Sequence, residues 1–232
     1  MTQLFFIRHG QSTNNALADP TQRVQDPELT ELGQIQAQRV AGYLAANSHL
    51  KGSLSNPEGA PLDRLYCSAM VRAVHTATPI GQALDLNPEV YIDLHEIGGI
   101  YLDYPDGRIE SFPGQTRSEL STRFPDCLPP DTLDEAGWWR GGRESEEEAL
   151  QRASKVADEL LQRTDDDSRI GLVTHGDFMS YLIKALIGAP QGKTPYLYHC
   201  NTAITCVELS PDKGLTIRYT NRTEHLEENH VT

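Results

Sequence analysis

Long hydrophobic runs, paired cysteines and an excess of positive charge are all missing from this sequence, and each absence removes a class of function. No apolar run approaches the roughly 20 residues that a membrane-crossing helix needs, and the first residues lead straight into a strand-like stretch, with no charged, then apolar, then small-residue leader. The four cysteines, Cys67, Cys127, Cys200 and Cys206, show no CxxC spacing, and Cys200 and Cys206, in or beside a strand without ligand-pair spacing, read as buried structural thiols and not as metal ligands. A reducing cytoplasm is the expected compartment. Lys and Arg number 20 against 33 Asp and Glu, a net charge of −13 that repels nucleic acid and anionic membranes. Any phosphate must therefore be held by a local basic pocket. No internal repeat or low-complexity tract is visible. What is present, 38% hydrophobic and 23% charged residues over 232 positions, suits a single globular domain spanning 1–232.

The pattern along the chain alternates strands with helices. Leu4-Phe5-Phe6-Ile7 reads as a buried parallel strand that empties into Arg8-His9-Gly10. From Thr30 the spacing of Leu32, Ile35, Val40, Tyr43 and Leu44 predicts a helix, which ends before the polar stretch 47–61. Arg64–Cys67 predicts a second strand, followed through Ser68 by a helix from about Ala69 to Leu84, with Arg72 in its first turn and Pro79 kinking or dividing it. A third strand is expected over Val90–Leu94, running into His95-Glu96-Ile97-Gly98-Gly99. Residues 98–143, rich in Gly, Pro, acids and scattered aromatics, read as a cap-like insertion over a site, with Trp138 and Trp139 forming its small core. Ser145-Glu146-Glu147-Glu148 is a capping box ahead of a helix carrying Leu150, Ala153, Val156, Ala157, Leu160 and Leu161. After the Asp165-Asp166-Asp167 turn, Ile170–Val173 is a fourth strand leading to Thr174-His175-Gly176-Asp177 and an apolar helix. Thr202–Leu209 and Leu215–Thr220 predict a hairpin, and the acidic tail from Glu224 is expected to be loose. The fold class is α/β: a three-layer sandwich with a mostly parallel sheet flanked by helices, whose ligand site lies beyond the carboxyl ends of the strands.

Arg8, His9, Glu96 and His175 all map to that edge, and Arg72 lies just after the second strand. Two guanidiniums, two imidazoles and a carboxylate suit phosphoryl transfer. Planar Arg forks neutralise the equatorial oxygens, neutral imidazole attacks in line, and a protonated carboxyl serves the leaving alkoxide. A lone strand-end histidine is usually structural, and it is the company of the other motifs that favours catalysis for His9. His175 could also cap the following helix, whose N–H groups suit a phosphate.

LFFIRHGQSTNN over Leu4–Asn15 closely resembles the opening motif of the histidine phosphatase superfamily, phosphoglycerate-mutase-like branch. The resemblance continues in order through Leu29-Thr30-x-x-Gly33, Ser68-Ala69-Met70-Val71-Arg72-Ala73, Leu94-His95-Glu96, Glu144-Ser145 with Arg152, and Val173-Thr174-His175-Gly176-Asp177, covering roughly residues 4–210. It implies that His9 is phosphorylated, that Arg8, Arg72 and His175 hold the transferring group, and that Glu96 is proton donor and then base. By the same analogy Asn15, Ser12, Gln11 and Asn201 contact substrate. No metal and no organic cofactor is implied. After Glu96 the sequence departs from the family's compact acid motif, which leaves His95, Asp103 or another acid of the insertion as alternative proton donors.

These readings lead to a metal-independent phosphomonoester hydrolase acting on a small phosphorylated substrate. The alternative is a phosphoglycerate mutase-type phosphotransferase, which shares the pocket. The dispersal of Arg108, Arg117, Arg123, Arg140 and Arg143 among acids weighs towards hydrolysis. A third reading is a regulatory module that binds phospholigands without turnover. Neither nucleic acid nor membrane is an expected partner, and a homodimer is compatible with the sequence.

Overall fold

The computed structural model describes residues 1–51, 60–163, 167–190 and 194–232. In chain order these form β1 (Thr2–Arg8), α1 (Glu31–Ala45), β2 (Arg64–Cys67), α2 (Val71–Leu84), β3 (Glu89–Val90), β4 (Tyr101–Asp103), β5 (Ile109–Ser111), α3 (Arg117–Arg123), α4 (Glu146–Leu161), β6 (Arg169–Thr174), α5 (Gly176–Leu186), β7 (Ile204–Ser210) and β8 (Gly214–Arg222). The main sheet runs β3-β2-β6-β1-β7-β8. Its first four strands are parallel, and β7 and β8 add an antiparallel hairpin along the β1 side. This is the mostly parallel three-layer α/β arrangement the sequence predicts.

Strand pleating explains the layers. Successive side chains of β1 point to opposite faces, so Phe5 and Ile7 join a core with α1, α2 and Trp138, whereas Leu4 and Phe6 join a second core with α4 and α5. All four side chains are fully buried, each stabilising the sheet by roughly 1.5–3 kcal/mol. The capping box of Ser145 and Glu148 starts α4 as expected, and Trp138 is buried in the core. Two glycines of the sequence motifs are required by backbone approach: a Cβ on Gly10 would lie 2.5 Å from the Gly33 carbonyl oxygen, and one on Gly33 would lie 2.1 Å from that of Gln11. They let the start of α1 lie directly against the loop after β1.

Several expectations need correction. The third strand is only Glu89–Val90; the chain leaves the sheet after Tyr91 and turns through a 3₁₀ helix at Ile92–Leu94, so Glu96 follows a helical turn and not a strand end. Helix α2 continues across Pro79, held by the buried neighbours Ala77, Ile80 and Gly81. Ile35 is 43% exposed, because α1 turns Gln36 and Ala37 inward in its place. Most of the polar stretch 47–61 and Asp165 and Asp166 of the predicted turn lie outside the described residues.

The acidic tail is not loose. Gln36 Nε2 donates to the His230 carbonyl (2.7 Å) and to Thr232 Oγ1 (2.9 Å), and Thr232 is further tied to Asn201. Periodicity cannot reveal this docking, because it uses polar atoms scattered over the chain. The Gln36 Oε1 accepts the Gln11 amide at 2.7 Å, so one buried side chain joins the tail to the loop after β1. Gln36→Ala should therefore lower the unfolding free energy by about 1–3 kcal/mol, since it leaves buried polar groups unsatisfied. Urea denaturation reads this directly, and a loss below about 0.5 kcal/mol, the range of ordinary surface changes, would contradict it.

Candidate active site

The carboxyl ends of β1, β2 and β6 open onto a cleft of about 710 Å³ whose wall includes Arg8, His9, Ser12, Asn15, Arg72 and Glu96. His9 follows β1 and is 3% exposed. Its Nδ1 lies 2.7 Å from the Gly10 carbonyl oxygen, an acceptor only, so the ring proton must sit on Nδ1. Nε2 then keeps its lone pair and accepts a hydrogen bond from Arg72 Nε at 3.1 Å. Burial, with Arg72 and Arg8 nearby, holds the His9 pKa well below the usual histidine value, so the ring stays neutral.

Arg72 sits in the first turn of α2, where the helix dipole disfavours a cation. Asp26 resolves that conflict. Its carboxylate accepts the Val71 amide at 3.2 Å, capping the helix from outside, and lies 3.7 Å from Arg72 Nη1. Burial pushes the Asp26 pKa up to about 6 against the pull of Arg72. Arg8 donates through Nη1 to the His199 carbonyl (2.7 Å), while its buried Nε has no protein partner among the described residues. A buried donor of this kind in a cleft awaits an acceptor.

His175, fully buried after β6, lies with its ring centroid 5.0 Å from that of His9, the planes tilted by 57°, and shares a 2.8 Å hydrogen bond with Ser68 Oγ through Nε2. Its Nδ1 has no partner among the described residues, and burial together with Arg72 lowers its pKa well below the usual value. Two of the N–H groups at the start of α5, expected to suit a phosphate, go elsewhere: Phe178 N donates to Glu96 Oε1 at 3.0 Å and Asp177 N reaches Oε2 at 3.4 Å. Burial, and then Asp177, raise the Glu96 pKa, opposed by Arg72 and the backbone N–H groups.

The loop carrying Glu96 is fastened from α4. Arg152 makes a two-pronged ion pair with Glu144, both contacts at 2.7 Å, and donates to the carbonyls of Asp93 (2.7 Å) and His95 (3.0 Å). His95 lies off the cleft, between Trp138 and Trp139, with its pKa lowered to about 4 by burial. Asp103 reaches the cleft rim but is paired with Arg143 at 3.2 Å. Of the three named candidate acids, only Glu96 lies in the cleft without a pairing cation at hydrogen-bond distance.

The remaining predicted residues divide. Ser12 and Asn15 line the cleft, with Asn15 Oδ1 accepting from Ser12 N and Oγ. Gln11 does not line it: its Oε1 accepts from Thr30 Oγ1, bracing the start of α1. Asn201 sits behind the wall and donates to the His9 carbonyl at 2.9 Å. Arg23 and Tyr196 also reach the cleft wall and Asp26 backs Arg72, all three from loops whose spacing carries no signal, whereas Asp177 comes with the second histidine motif at the start of α5.

Comparison with known proteins gives the family and the fold. The model of the histidine phosphatase superfamily, branch 1, matches residues 4–222. A glucosyl-3-phosphoglycerate phosphatase of Mycolicibacterium vanbaalenii is 27% identical over 84% of this chain and 78% of its own length. Among the curated relatives matched, the chain spans from 15% to 78% of their length. Of solved structures, the ecdysone phosphate phosphatase of Bombix mori, with tungstate, has a TM-score of 0.69 at 15% identity, covering 98% of this chain and 96% of that one. A mutant phosphoserine phosphatase of Entamoeba histolytica, in complex with phosphoserine, has a TM-score of 0.59 at 22% identity, covering 98% and 100%. Among the described residues no helix is long and apolar enough to cross a membrane. The match across nearly the whole chain places it in the histidine phosphatase superfamily, branch 1.

Proposed function

We propose that this chain is a phosphomonoester hydrolase working through a phosphohistidine on His9. The observation that carries the reading is the tautomer of His9: with Nδ1–H held by the Gly10 carbonyl, the Nε2 lone pair faces the cleft among guanidiniums. An arriving phosphate dianion takes over the Arg72 donor and accepts from Arg8 Nε. Nε2 forms the N–P bond as the P–O ester bond breaks, and the Glu96 proton goes to the departing oxygen, releasing an alcohol. Glu96, now a carboxylate, then takes a proton from water as the water oxygen attacks phosphorus, the P–N bond breaks, and phosphate leaves. Neither a metal nor an organic cofactor enters these steps, and every group comes from one copy of the chain. The four cysteines are free thiols, which suits a reducing cytoplasm. The names of the similar proteins support a small phosphate ester as substrate.

Leaving-group dependence tests the assignment of Glu96. Glu96→Gln should lower kcat/KM for an alkyl ester such as glycerol 2-phosphate by about 10²- to 10⁴-fold, and far less for p-nitrophenyl phosphate, whose phenolate departs without a proton. Release in wild type should persist in excess EDTA. Equal losses on both esters would remove Glu96 from the role.

A further inference from the structure

The cleft that holds Glu96 is also lined by two groups that the mechanism above does not use, Asp177 and Tyr196. Asp177, the second residue of α5, is exposed and lines the cleft, and its own amide reaches Glu96 Oε2 at 3.4 Å. Its side chain is not free to wander: the Tyr196 hydroxyl donates to Asp177 Oδ1 at 2.8 Å. Tyr196 is in turn fixed by the segment that carries it. Leu197 N donates to Ser180 Oγ on α5 at 3.1 Å, and the His199 carbonyl accepts from Arg8 at 2.7 Å. A Cβ on Gly176 would lie 3.3 Å from Arg8 Nε and 3.5 Å from the Tyr196 hydroxyl, which brings the tyrosine over the Arg8 side of the cleft.

We infer that Tyr196 and Asp177 form a positioning pair that keeps Glu96 loaded with its proton for delivery to the leaving oxygen. The inference rests on the assignment of Glu96 as general acid. The chemistry is a balance of neighbours. Arg72 from α2 and the amides of Ile97, Asp177 and Phe178 favour the Glu96 carboxylate, and Arg8 at the end of β1 lines the same cleft. Against them stand burial and the Asp177 carboxylate, the one acidic group acting on Glu96 from α5. Tyr196, from the segment before β7, holds that negative charge in place, while His95, next in the chain, is buried and neutral. Without Asp177, Arg72 and the amides would strip the proton from Glu96 at lower pH. The pair touches neither phosphorus nor the nucleophile and acts through Glu96.

The test is the pH profile of kcat/KM for glycerol 2-phosphate and p-nitrophenyl phosphate in wild type, Asp177→Asn, Tyr196→Phe and Glu96→Gln. The alkaline limb reports loss of the acid's proton. Asp177→Asn removes the charge that opposes ionisation, so the limb for the alkyl ester should move to lower pH by about 0.5–1 unit. Tyr196→Phe frees Asp177 to turn to solvent and should shift it the same way by less. On p-nitrophenyl phosphate both variants should stay within about threefold of wild type, because proton donation is not needed there. An unmoved limb, or equal losses on both esters, would overturn the pair while leaving Glu96 as the acid. Should Glu96→Gln itself treat the esters alike, the acid assignment falls and the pair falls with it. Both substituted side chains are exposed, so folding does not confound the result.

Discussion

His9→Ala should fold normally and lose turnover on every phosphate ester by on the order of 10⁴-fold or more, the scale seen when a covalent nucleophile is removed. The expectation follows from the absence of a substitute. His175, the nearest imidazole, is fully buried behind His9 with its Nε2 engaged by Ser68, and Ser12 lies in the same loop without a base beside it. The variant's fold should survive because the loop is held by backbone and neighbouring side chains: His9 N donates to the Thr174 carbonyl, Gly10 N to Thr76 and Gln11 N to Gln36. Initial rates on p-nitrophenyl phosphate, paired with circular dichroism and vanadate binding, separate chemistry from folding. A loss of less than tenfold would mean that another residue attacks phosphorus.

The second large effect belongs to Arg72. Arg72→Ala should lower kcat/KM by about 10³- to 10⁵-fold, the range for an arginine that neutralises a transferring phosphoryl group. Here the loss has two parts. The donor that meets His9 Nε2 and the incoming oxygens disappears, and Asp26 is left as a buried carboxylate without its cation. Its pKa, already up at about 6, should rise further, so Arg72→Ala should also be less stable towards neutral pH than in weak acid. The sign follows from linkage: a carboxyl whose folded pKa is raised binds more protons folded than unfolded, and stability falls as pH rises through that window. Arg72→Lys should restore charge but not the planar fork, and should recover only part of the rate. Steady-state kinetics on the three proteins, with thermal melts between pH 5 and 8, check both parts. Activity of Arg72→Ala near wild type would show that phosphate sits elsewhere in the cleft.

Where local rules apply, the chain was readable. The β1 run, the Ser145 capping box and the motifs after β1, β2 and β6 lie where the sequence puts them, because pleating, capping and the carboxyl edge of a parallel sheet are properties of short segments. The failures share a cause. The docked tail, the Asp26 cap on α2 and the Tyr196–Asp177 contact each join polar atoms far apart in sequence, and no periodicity encodes such partners. Glu96 illustrates both halves. Its motif was legible, yet a 3₁₀ turn carries it past the strand end, and two of the α5 amides expected to receive phosphate go to Glu96. Gly10 and Gly33 are fixed by backbone contact between segments 23 positions apart, a constraint that exists only once both segments are folded.

The central claim is a covalent bond between phosphorus and His9 Nε2. Its most direct test is rapid acid-free quenching of wild type during turnover of a ³²P-labelled ester, followed by proteolysis and mass spectrometry of the peptide containing Leu4–Asn15. The account predicts label that is stable in base, labile in acid, confined to His9 and absent from His9→Ala. Label on any other residue, or turnover with no labelled enzyme while His9→Ala remains active, would contradict it.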